Sequence, residues 1–125
     1  MVLGIGCDII EIQRLEKATG KENFLQRYFT ANEITLIQKK GPLTAAGNFS
    51  AKEAVVKALG VGFGDIMPMD IEILRDDSGK PYVNLYGAAK EFFDKAGGGN
   101  VFLSISHSKS HAMASVVIEK KDGCS

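Results

Sequence analysis

Glu53 and Lys57 stand one helical turn apart in the run Phe49-Ser50-Ala51-Lys52-Glu53-Ala54-Val55-Val56-Lys57-Ala58-Leu59-Gly60. At about 100° per residue, Ala51, Ala54, Val55, Ala58 and Leu59 share one broad apolar arc. Phe49 and Val56 lie on the other side and flank Glu53. A helix apolar on nearly every face is a buried one, so these two charges sit on a mostly buried element. They read either as an ion pair contributing ~0.2–0.5 kcal/mol or as part of a site. Asp8 lies in the apolar run Ile5-Gly6-Cys7-Asp8-Ile9-Ile10. A carboxylate there is paired, ligated or at the exit of a strand. Asp8-Ile9-Ile10-Glu11 fits a helix N-cap with a capping glutamate equally well.

Ser104-Ile105-Ser106-His107-Ser108-Lys109 gathers hydroxyls, an imidazole and a lysine where a strand gives way to a turn. That set suits an anion such as phosphate. A serine nucleophile is disfavoured, because adjacent Ser and His residues cannot take triad geometry without a third group. His107 and His111 have the spacing of a helical zinc pair, but they bracket a turn and no cysteine is near in sequence. Gly60-Val61-Gly62-Phe63-Gly64 lacks the lysine and hydroxyl that would follow a phosphate-binding loop. Gly79-Lys80-Pro81 reads, taken alone, as a solvated turn.

These residues need elements to hold them. Val2 to Ile9 reads as a buried strand, and 11–18 as a helix with Ile12, Leu15 and Ala18 on one face. Phe24 to Phe29 is a short aromatic helical turn. Thr30-Ala31-Asn32-Glu33 is a capping box that starts a helix running to Lys40. Gly41-Pro42 stops it, and the long helix spans 43–59. Strands are predicted over 69–75, 82–85, 101–106 and 112–119, with a helix over 88–96 and Gly97-Gly98-Gly99 as a hinge-like linker. Ala112, Ala114, Val116 and Ile118 share one strand face. Helices and hairpins are interspersed, so the class is α+β, in one domain over 1–119 with a polar tail at 120–125.

With 125 residues, 45% of them hydrophobic, the chain can bury one core. Fifteen Lys and Arg balance fifteen Asp and Glu, which disfavours general nucleic-acid binding. No apolar run approaches the ~18 residues of a membrane span. The start has no basic segment before Asp8, so no secretory leader is expected. Cys7 and Cys124 make no disulfide framework, consistent with a reducing cytoplasm.

Four motifs in order resemble one family. They are Gly4-Ile5-Gly6-Cys7-Asp8-Ile9, the Phe49–Gly60 run, Gly79-Lys80-Pro81-Tyr82, and Ser104-Ile105-Ser106-His107-Ser108. The set is similar to that of the bacterial holo-acyl-carrier-protein synthases, small 4'-phosphopantetheinyl transferases. The resemblance implies transfer of 4'-phosphopantetheine from coenzyme A to a serine of apo acyl carrier protein, releasing 3',5'-ADP, for fatty acid biosynthesis. It implies Mg2+, with Mn2+ as an alternative, held by Asp8 and Glu53. Lys57 would contact the phosphates, and Glu53, directly or through a water, would act as general base. Gly60, Lys80, Pro81, Ser106, His107 and Ser108 would bind coenzyme A. Arg14, Lys21, Phe24 and Arg27 would dock the acidic carrier. A homotrimer is implied, with Asp8 and Glu53 from one subunit and His107 from the next. Asn48 replaces an arginine common in the family, which removes one expected basic contact; His111 and Cys7 also depart from the common residues. The same residues would otherwise serve a non-catalytic coenzyme A or nucleotide-binding module, or a metal-dependent phosphodiester hydrolase.

Overall fold

The computed structural model describes residues 1–21 and 23–122. The protein is α+β, as the order of motifs predicts. Strands β1 (Val2–Glu11), β4 (Gly98–His107) and β5 (His111–Lys120) form an antiparallel sheet in the order β1-β5-β4. Strands β2 (Ile71–Arg75) and β3 (Pro81–Leu85) form a separate antiparallel hairpin. The helices are α1 (Ile12–Thr19), α2 (Phe24–Tyr28), α3 (Ala31–Lys40), α4 (Pro42–Leu59) and α5 (Gly87–Lys95). One core gathers α4, β2, α5 and the inner face of β5; a second gathers α1, the aromatic turn and the start of α4.

Helix α4 is buried over most of its length, as its all-round apolar pattern requires. It lies directly on β1. A Cβ on Gly4 would fall 2.0 Å from the Ala58 carbonyl oxygen, and one on Gly6 would fall 1.9 Å from that of Ala54. Only glycine permits this backbone-to-backbone approach. The Ala54–Ala58 stripe of α4 thus rests on a bare stretch of strand.

Three readings change. Asp8 is within β1, opposite Ala114 of β5, so it is no helix cap; the residue before α1 is Glu11, whose side chain caps nothing. Gly98 and Gly99 open β4 rather than forming a hinge, because the strand continues its pairing back to Lys120. β5 also runs one residue past Glu119 to Lys120. Cys124 and the end of the expected tail, 123–125, lie outside the described residues.

A polar brace ties α3 and α4 to β2. Lys52 and Glu33 are 1% and 0% exposed. Lys52 Nζ donates to Glu33 Oε1 at 2.6 Å, to the Pro68 carbonyl at 2.9 Å, and to the Ile71 carbonyl. Glu33 also accepts from Thr30 N, Asn48 Nδ2 and Ile73 N. Burial pushes the Glu33 carboxyl up and the Lys52 ammonium down, and their mutual attraction opposes both shifts. Beside them, Glu72 accepts hydrogen bonds from Thr30, Asn84, Tyr86 and Asn32; burial opposes its charge, but these donors hold its carboxyl below the usual range.

Candidate active site

The Gly4–Gly6 approach decides where the acids go. Side chains alternate along β1, so Asp8 points to the α4 side while Cys7 points to the open face of the sheet. Lys57, at the edge of α4, donates from Nζ to Asp8 Oδ1 at 3.2 Å and to the Cys7 carbonyl at 3.1 Å. Its carboxylate partner is therefore Asp8, far away in sequence, and not Glu53 one turn back. Glu53 is half-buried on the same side. Burial and then the neighbouring Asp8 raise its carboxyl above the usual carboxylate range, against a lowering by Lys57.

Asp8 and Glu53 line one cavity of about 410 Å³ together with Arg14, Phe24, Tyr28 and Phe49. Sequence reasoning placed Tyr28 in an aromatic turn and Phe49 beside Glu53 but missed both as walls of this space, because nothing local shows which aromatics face a cavity. Their rings pack 5.7 Å apart. The cavity offers two hard anionic oxygen donors with a cation beside them. Among the described residues there is no cluster of three or more His, Cys, Asp or Glu. A pair of carboxylates of this kind fits Mg2+, which takes one or two protein carboxylates and completes its shell with phosphate and water.

The other predicted residues collect elsewhere. His107 ends β4, on the edge of the sheet opposite β1. It lines a second cavity, of about 220 Å³, with Arg75, Thr44, Gly79 and Pro81. The Gly79 turn is built by Asp76, whose Oδ1 accepts from the backbone N–H of Ser78 and of Lys80, both at 2.9 Å. Gly79 takes φ +87°, which suits glycine. Lys80 is exposed beside it. Ser106 is exposed, whereas the Ser108 hydroxyl is engaged, accepting from the N–H of Ser110 and His111 at 3.2 and 3.1 Å to fix the β4–β5 turn. Gly60 ends α4 with φ +75°.

Of the expected docking residues, Arg14 and Phe24 stand at the Asp8–Glu53 cavity; Lys21 and Arg27 are exposed. Asn48 is fully buried, with Nδ2 donating to Glu33 Oε2 at 3.1 Å and to the Ile73 carbonyl at 2.9 Å. In this chain that position belongs to the brace and faces no open cavity. His111 is half-buried, its Nδ1 2.8 Å from Ser110 Oγ.

Comparison with known proteins places the chain in a family. The 4'-phosphopantetheinyl transferase superfamily profile matches residues 4–116. The holo-[acyl-carrier-protein] synthase of Alkaliphilus oremlandii is 48% identical over 120 residues, covering 94% of this chain and 98% of its own. A holo-(acyl-carrier-protein) synthase from Bacillus anthracis, solved in complex with CoA (3',5'-ADP), superposes with a TM-score of 0.81 at 40% identity, covering 96% and 98% of the two chains. The Helicobacter pylori holo-[acyl-carrier-protein] synthase in complex with coenzyme A gives 0.80 at 36% identity, covering 92% and 99%. A family profile over residues 4–116 and relatives that cover more than nine-tenths of the chain show the family: the protein is a transferase and belongs to the 4'-phosphopantetheinyl transferase superfamily.

Proposed function

We propose that the protein transfers 4'-phosphopantetheine from coenzyme A to a serine of apo acyl carrier protein, in an Mg2+-dependent reaction serving fatty acid biosynthesis in the cytoplasm. The observation that carries this is the meeting of Asp8 and Glu53 at one cavity, with Lys57 paired to Asp8 beside it, though the chain separates Asp8 from the other two by most of α1 to α4. The serine oxygen attacks the β-phosphorus, a new phosphoester bond forms, and the bond to 3',5'-ADP breaks. Glu53, with its raised carboxyl, takes the serine proton directly or through a water. Lys57 lies where it can answer negative charge on the phosphates. Asp8 and Glu53 would hold Mg2+, or Mn2+, which neutralises charge developing on the pyrophosphate oxygens. Arg14, Lys21 and Arg27, with Phe24, would receive the acidic carrier.

A homotrimer with sites between subunits is supported by two features. The outer face of the sheet carries Ile5, Ile9, Phe102 and Met113 at 72%, 65%, 52% and 42% exposed, a contiguous apolar surface that water would not favour. The Asp8–Glu53 cavity and the His107 cavity lie at opposite edges of that sheet, so a ring of copies can bring one of each together. Among the described residues no helix is long and apolar enough to cross a membrane.

The test combines Mg2+, coenzyme A and apo carrier protein and follows mass. A gain of the phosphopantetheine arm is expected. Coenzyme A cleavage without transfer would instead assign a hydrolase, and binding without either a non-catalytic module.

A further inference from the structure

Arg75 ends β2 half-buried against α4. Its guanidinium lies in ordinary contact distance, 3.9 Å, of the place a Cβ on Gly47 would occupy, beside Ile105 of β4. Among the described residues its one hydrogen bond is from Nη1 to the Leu74 carbonyl, at 3.3 Å. Among the described residues no carboxylate lies within ion-pair distance of it, and the nearby Glu33 is already paired with Lys52. An arginine presents five donors in a fixed fork that matches phosphate oxygens. Here most of that fork is unengaged, and the residue lines the 220 Å³ cavity that also holds His107, Thr44, Gly79 and Pro81. Coenzyme A has two anionic groups. The chemistry places its pyrophosphate with Asp8, Glu53 and Lys57, which leaves the 3'-phosphomonoester for a second cationic pocket. Asn48 cannot serve it, being buried in the brace.

We infer that Arg75 is a specificity-determining residue that binds the 3'-phosphate of coenzyme A. This rests on the transferase reading above.

The test compares coenzyme A with dephospho-coenzyme A, which lacks that phosphate, in wild type, Arg75→Lys and Arg75→Gln. In wild type, coenzyme A should have the lower KM. Arg75→Gln should raise the KM for coenzyme A roughly tenfold or more and leave that for dephospho-coenzyme A nearly unchanged. Arg75→Lys should fall between them. Calorimetric binding of 3',5'-ADP should weaken in parallel, without any need for turnover. If Arg75→Gln worsens both substrates equally, Arg75 only supports the fold and the inference is wrong. It is also wrong if the variant keeps the full wild-type preference. If wild type transfers nothing yet binds 3',5'-ADP in an Arg75-dependent way, the transferase reading fails and the phosphate pocket stands.

Discussion

Replacing Lys52 by Met tests whether the buried brace holds α4 in place. The ammonium is 1% exposed and donates to Glu33 and to the Pro68 and Ile71 carbonyls. Met matches its length and gives none of these bonds. Glu33 keeps three neutral donors, from Thr30, Asn48 and Ile73, but loses the charged partner bonded to it. Breaking a buried pair from one side typically costs about 3–5 kcal/mol, because the remaining charge is stranded. Against a total stability of about 5–15 kcal/mol, the variant should be folded but markedly weakened. Without Lys52, the folded-state pKa of Glu33 rises further above its ordinary value. The folded state then binds more protons than the unfolded one, so its stability falls as pH rises through that window. The deficit relative to wild type should therefore be larger at pH 8 than at pH 5. Urea denaturation at both pH values, with the slope m unchanged, measures it. Adding Glu33→Gln removes the stranded charge, so the double variant should lose less than the sum of the singles, by about 0.5–3 kcal/mol. A Lys52→Met protein within about 1 kcal/mol of wild type at pH 8 would refute this account of the pair.

Glu53→Gln keeps the shape and removes the anionic oxygen, and should cost at least ~10²-fold in transfer rate with the fold intact, as followed by mass of the carrier at saturating Mg2+. Near-normal turnover would remove Glu53 from the site. Arg14→Glu should chiefly raise the KM for the carrier, with an effect that shrinks as salt rises; an unchanged KM at low salt would place the carrier elsewhere. Glu53→Ala and His107→Ala chains, each weak alone, should complement when refolded together in equal amounts, restoring about a quarter of the sites. Verified exchange without recovery would show a site built within one chain.

Much of this was legible in the sequence, and the exceptions have specific causes. The Thr30–Glu33 box forms as spaced, with Thr30 Oγ1 accepting from Glu33 N and Glu33 Oε1 accepting from Thr30 N. The alternation Ala112, Ala114, Val116, Ile118 gave β5, whose other face is exposed enough to show the period. β1 hid its period because the usual pattern is inverted: Gly4, Gly6 and Asp8 face the helix while Ile5 and Ile9 face outward. That is why Asp8 read equally well as a cap. Glu33 read only as the end of a capping box, and Lys52 and Arg75 carried no signal of their own, since nothing local marks a partner nineteen residues away or a pocket closed by another strand. The pairing of Lys57 with Asp8 in place of Glu53 was invisible for the same reason: it exists only once the sheet does.

The order β1-β5-β4 has a consequence for how the protein is made. β1 hydrogen-bonds to β5 alone, and Asp8 faces Ala114, more than a hundred positions later. During synthesis the first strand therefore leaves the ribosome with both edges unpaired and its apolar residues in water. It stays so until nearly everything else has emerged, a long-range closure that is slow and open to association meanwhile. The last strand to appear completes the sheet and fixes the first acid of the site in the same event. A ribosome stalled before β5 would hold a chain with α4 formed and no place for Asp8, inactive and exposed to proteases until the strand arrives.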